Sequence, residues 1–249
     1  MSKRRYGDFF LRLLLLAIFG PASSCSRDGC PLSSGSSVSR TRSLPGFHEI
    51  ILYDNVNLIL TQDSVQQVRV EGGGNLLPGI QTTVADSALT IRDNNKCSLL
   101  RSPGDPVNVY ISSGLLNTIT YYGAGNVVST NTLRNASFIV NCWMGSGSIK
   151  LDVVASSVSA YARNQSVDIT LTGSADNAWV YCQEVGSVDL SGLVAQVVFV
   201  ESKSVRDTYV NATNSMKVTI NYKGNVYYKG NPAYIDSLFT SSGRLIRMP

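Results

Sequence analysis

Residues 137–142 read SFIVNC, and the hexapeptides beginning 20, 40, 60 and 80 residues later repeat its alternation: SVSAYA at 157, NAWVYC at 177, VVFVES at 197 and KVTINY at 217. In each, the second, fourth and sixth positions form a triplet: Phe138, Val140 and Cys142, then Val158, Ala160 and Ala162, then Ala178, Val180 and Cys182, then Val198, Val200 and Ser202, then Val218, Ile220 and Tyr222. A spacing of two is the side-chain period of a β-strand, and a constant interval between triplets keeps each side chain above its counterpart in a stack of coils. The pattern predicts an all-β chain folded as a single-stranded β-solenoid, right-handed by the general preference of parallel crossovers.

Each coil carries a second strand. Ser148-Ile149-Lys150-Leu151, Ser166-Val167-Asp168-Ile169, Ser187-Val188-Asp189-Leu190 and Ser204-Val205-Arg206-Asp207 are versions of one unit. Gly123, Gly125, Gly145, Gly147, Asn164 and Gly186 precede these units and suit tight corners. Upstream, short extended runs at 47–53, 56–61, 67–71, 80–84, 89–92 and 107–111 are separated by turn signals and predict a packed N-terminal β half. With 43% apolar residues the chain can fill a core of this size, so disorder is not the default reading.

The start of the chain carries Lys3, Arg4 and Arg5, an apolar run from Leu13 to Phe19, and then Ala22, Ser23 and Ser24 before Cys25. This run is too short to span a bilayer and has the order of a secretory signal. The segment resembles a bacterial lipoprotein signal, with Cys25 as the acylated residue and Ala22 in place of the usual large aliphatic side chain. Plain secretory cleavage or an uncleaved N-terminal helix is the alternative. The expected organisation is a signal peptide over 1–24, a flexible Ser/Gly-rich tether over 25–45, an N-terminal β half over 46–115 and a repeat half with a C-terminal cap over 116–249. The last two are read as one domain.

The formal charge of +4 is mostly targeting signal, since removing residues 1–24 leaves 17 basic and 16 acidic side chains. Nothing remains that resembles the clustered Lys and Arg of a nucleic-acid surface. Cys142 and Cys182 occupy equivalent positions two coils apart. Their Cα atoms should therefore lie about 9.6 Å apart, whereas a disulfide needs less than about 7 Å. Both are expected buried and reduced; whether Cys30 pairs with Cys97 stays open.

The run Phe47-His48-Glu49-Ile50 with Val56-Asn57-Leu58-Ile59-Leu60, the join from Val68-Arg69-Val70-Glu71-Gly72 to Asn75-Leu76-Leu77, Asp86-Ser87-Ala88-Leu89-Thr90-Ile91, and the Gly-x-Gly and Ser-Val-Asp-Leu repeats resemble the putative auto-transporter adhesin, head GIN domain family. The likeness covers roughly Gly46 to Pro232. It implies a β-helix-like fold in an exported bacterial envelope protein, often a lipoprotein, and carries over no catalytic motif.

Candidates for chemistry are few. His48 is the chain's one histidine, and a surface role is expected for it. No Cys-x-x-Cys spacing or second His suggests zinc, and no cofactor is implied. Lys150, Asp168, Asp189 and Arg206 are expected to share one outward column, and Asp168 with Asp189 would serve a polysaccharide-processing enzyme of the β-helical lyase type. The bland reading is a solvated ladder of opposite charges. Tyr161, Trp179, Tyr181 and Phe199, with Trp143 nearby, fall on the outward parity and form an aromatic patch suited to a glycan or an envelope protein. The N-terminal half is expected to fold over this patch, with an open binding surface as the alternative. Tyr227, Tyr228 and Tyr234 are expected to cover the last coil. The resulting reading is a non-catalytic, adhesin-like binding or structural module, held at the membrane through the lipid on Cys25.

Overall fold

The computed structural model describes residues 33–95, 106–163 and 166–249. They form a β-solenoid of about 6 turns with no α-helix. Seventeen strands follow in order: β1 (Ser37–Arg42), β2 (Glu49–Asp54), β3 (Val56–Thr61), β4 (Gln67–Gly73), β5 (Ile80–Ala85), β6 (Ala88–Asp93), β7 (Val107–Ser112), β8 (Thr118–Gly123), β9 (Val127–Ser129), β10 (Leu133–Cys142), β11 (Ser148–Ala162), β12 (Asp168–Glu184), β13 (Ser187–Ser204), β14 (Thr208–Ile220), β15 (Val226–Lys229), β16 (Tyr234–Phe239) and β17 (Leu245–Arg247).

The long strands β11 to β14 each run from one wall of the solenoid, through a bend, to the other. The register that the hexapeptides predict is present. Phe138, Val158, Ala178 and Val198 stack, as do Val140, Ala160, Val180 and Val200, and Cys142, Ala162, Cys182 and Ser202. All twelve are buried. The last triplet is a correction: Met216, Val218 and Ile220 lie opposite Val198, Val200 and Ser202. The interval therefore shortens to 18, because the β13–β14 ladder skips residues between Asp189 and Val194 and again between Ala195 and Val197. Tyr222 lies beyond β14 and is 43% exposed. At the bend of β12, Gly173 has φ +111, and a Cβ there would stand 2.1 Å from the Val153 carbonyl oxygen. The coils can approach there only because the side chain is missing.

Coil order departs from chain order near the N-terminus. β2 lies between β6 and β8, both parallel to it, and β3 lies between β7 and β9 in the same way. The first coil is thus filled on one edge by a later coil, β6–β7, and on its other edge by β8–β9, whose Val127 meets Leu58. Antiparallel strands close this end: β5 on β6, β4 on β7, and β1 on β4. Residues 37–42, expected within the flexible tether, are therefore ordered as β1, with Arg40 opposite Val70. One buried cluster runs through both halves, from Phe47 to Val226.

The opposite end is open. β16 pairs with β14 and β17 with β15, and no described strand follows them. Tyr234 is 66% exposed and Leu238 58%, so of the three tyrosines expected to cover the last coil only Tyr228 packs, half-buried, against the core. Tyr227 instead stacks on Tyr209, outward on the wall, with ring centroids 5.2 Å apart.

Candidate functional site

Two outward rows make the aromatic patch. Ser159, Trp179, Phe199 and Lys217 are successive partners in one row, and Asn141, Tyr161, Tyr181, Glu201 and Thr219 in the next. Their inward neighbours are the buried core residues, so strand alternation alone fixes these rings outside. Trp179 and Phe199 stack with centroids 4.0 Å apart and planes 12° apart. On the other side of Trp179 in the row stands Ser159, which is buried. Tyr161, Trp179, Tyr181, Phe199, Glu201 and Lys217 line a shallow cavity of about 220 Å³. The expectation that the N-terminal half covers this face is overturned: that half stacks on the end of the solenoid, and Trp179 stays 44% exposed. Two sheets cannot pack face to face here, because the first coils use their edges to continue the same walls.

Arg163 borders the patch. Its guanidinium carbon lies 4.6 Å from the Trp143 ring centroid, 5.2 Å from that of Tyr161 and 5.3 Å from that of Tyr181. No acidic group among the described residues pairs with it, and its Nε is buried without an acceptor. Asn141 Oδ1, in the row of Tyr161, is likewise buried without a donor. Lys203 lies 5.4 Å from the Tyr181 centroid and is bound to Glu201 at 2.7 Å, which raises the lysine's pKa above its ordinary value through that hydrogen bond. The Tyr181 hydroxyl donates to Gln183 Oε1 at 2.9 Å. Sequence reading by aromatics alone passes over Arg163, Lys203 and Lys217. Parity finds them, because each flanks a buried strand position.

The carboxylate column does not form. Ser148 pairs with Asp168 and Asp168 with Ser187, whereas Lys150 pairs with Thr170 and Thr170 with Asp189. Asp168 is thus two residues out of line with Asp189. Ile169, not Val167, stacks between Ile149 and Val188, which sets the Ser-Val-Asp-Ile unit back by two. Arg206 reaches past the intervening coil to Asp168 at 2.6 Å, and Asp189 accepts the Ser191 N–H at 2.8 Å. The expected contacts of Lys150 with Asp168 and of Asp189 with Arg206 are replaced by these. Among the described residues no three His, Cys, Asp or Glu side chains converge as a metal centre. His48 is exposed, its backbone N–H donating to Ser87 O.

Cys142 and Cys182 are free and buried with Ala162 between them. Burial pushes the Cys182 thiol up to about 12, although the Thr208 hydroxyl, donating to its Sγ at 3.3 Å, opposes this. Burial raises Cys142 in the same way. Cys25, Cys30 and Cys97 lie outside the described residues. A larger open groove of about 730 Å³ crosses the bends of the coils over Ala155 and Ala175, but its walls pair with each other, as Gln196 does with Asp176 at 3.0 Å.

The fold has solved relatives. A crystal structure of a putative adhesin from Bacteroides fragilis superposes with a TM-score of 0.79 at 22% identity, covering 87% of this chain and 99% of that one. A putative adhesin from Parabacteroides distasonis gives 0.67 at 20% identity, with 87% and 99% covered. A putative lipid binding protein from the same species gives 0.64 at 17%, with 86% and 98% covered. These superpositions establish the shared fold. No match was found among curated proteins. The family described as putative auto-transporter adhesin, head GIN domain, matches residues 46–232, three quarters of the sequence, and the chain belongs to that family.

Proposed function

We propose that this protein is an exported, lipid-anchored module of the bacterial cell envelope that binds a ligand through Tyr161, Trp179, Tyr181 and Phe199, without catalysis. The observation that carries the binding role is the open aromatic face. Large rings left in water on a rigid wall lose little conformational freedom on binding and bury much apolar surface. Membership of a family described as adhesins and the fold shared with other putative adhesins support the same reading. The order of charge, apolar run and small residues before Cys25 supports export and acylation.

The test is a comparison of Trp179→Ala with wild type, displayed as the full chain, on arrays of glycans and envelope proteins. Loss of binding at unchanged melting temperature is expected; unchanged binding of every ligand removes the patch from the function. Labelled palmitate should enter the wild-type protein and not Cys25→Ser, and equal incorporation would dispose of the anchor.

A further inference from the structure

Arg163 is the unexplained group in this face. A half-buried guanidinium normally finds a carboxylate or several carbonyl oxygens. Here it is held by three rings and has no hydrogen bond to its side chain among the described residues. Glu201, which lines the cavity beside Tyr161 and Tyr181, has its carboxylate neutralised by Lys203 at 2.7 Å. Only the Nε is both buried and unpaired, so the terminal N–H groups face solvent at the border of the patch. Ring contacts of this kind use no N–H group, and free N–H groups of a guanidinium can take a planar carboxylate in a two-point fork.

We propose that this face binds an acidic sugar, its carboxylate forked by Arg163 and its ring lying against Tyr161, Trp179 and Tyr181. The proposal rests on the binding role given above to the same patch and names its ligand. Two features favour a sugar over an acidic peptide. The cavity of about 220 Å³ is small enough to suit one ring and is lined by Tyr161, Trp179 and Tyr181, with Arg163 outside its lining, beside the rings of Tyr161 and Tyr181. The backbone under it is paired on both sides by neighbouring coils, so an extended peptide would find no strand edge to join.

The experiment uses the full chain purified in detergent and an array of uronate- and sialate-bearing glycans, their carboxyl-reduced counterparts, sulfated glycans and acidic peptides. Wild type should prefer the carboxylated glycans over the reduced ones by at least about tenfold, as a charged hydrogen-bonded pair requires. Arg163→Gln should abolish that preference, and Arg163→Lys, keeping charge without the fork, should restore only part of it. Melting temperatures separate loss of the cage from loss of the ligand. Should Arg163→Gln destabilise the wall, the wild-type preference, weakening as salt rises, still decides the matter. Equal binding of carboxylated and reduced glycans, or binding of sulfated glycans or acidic peptides instead, overturns the acidic-sugar assignment while the patch stands. Binding of carboxylated glycans that Trp179→Ala leaves unchanged overturns both.

Discussion

The repeat half and the N-terminal half build the same two walls by different means. From Phe138 onward each coil rests on the one just before it in sequence, about 20 residues back; after Phe138 the inward columns of one wall are Val, Ala, Cys and Ser, while the other wall keeps Ile149 on Ile169 and Leu151 on Leu171. In the first coils, Ile50 rests on Leu89 and on Ile119, and completely buried Leu and Ile are packed there with Val56, Val70 and Val109. A locally closed coil needs little apolar surface per residue, because each new strand arrives with its partner already in place. A coil assembled from distant segments requires more burial to offset the longer closure.

The largest effect should come from Val180→Asp, which buries an unpaired charge between Ala160 and Val200 and should cost about 5 kcal/mol or more. Because one core joins both halves, hydrogen exchange should show lost protection in β2 and β3 as well as in β12. Persisting protection in β2 would show that the halves are separate. Leu58→Ala in the first coil should cost about 2–5 kcal/mol, against roughly 2 for Val198→Ala, in denaturant titrations. Equal losses would erase the contrast in packing. Gly173→Ala should cost about 1–3 kcal/mol through backbone strain and contact with Val153, while leaving the first coils' exchange unchanged.

The smallest effect is a pH dependence set by two thiols of the repeat half. The buried thiols of Cys142 and Cys182 have pKa values raised above the ordinary 9.0. Below pH 9 both folded and unfolded chains hold the protons, so stability is unaffected. Above it the unfolded thiols ionise first and stability falls, by on the order of 1 kcal/mol per thiol near pH 10. Melting temperatures of Cys142→Ala and Cys182→Ala, followed from pH 8 to 10, should decline less steeply than wild type. Neither thiol should react with iodoacetamide in the native state.

How much the sequence reveals follows the same division. Wherever a coil closes on its immediate predecessor, position 140 announces 160, 180 and 200, so the inside and outside of those strands are legible. The reading slips where a ladder skips residues, at Met216 and at Asp168, because a shift of two preserves the alternation and leaves no trace in it. Order in the first coils is not legible at all: nothing local in Ile50 marks a partner 69 residues away. The aromatic patch could be read because parity places rings outside. Its openness could not, since that depends on where the first coils stack. Parity also places Arg163 outside, but its setting among three rings from three coils is a grouping that only the stack creates.

The enclosed position of the first coil also bears on how the molecule carries load. A solenoid pulled by a terminal coil peels, breaking one rung at a time. Here tension entering from the N-terminal side first unzips β1 from β4 and then meets β2 and β3, each held on both edges by strands that come later in the chain. Further extension has to shear the ladders on both edges together, so resistance is concentrated in the coil that an anchor at Cys25 would pull on first.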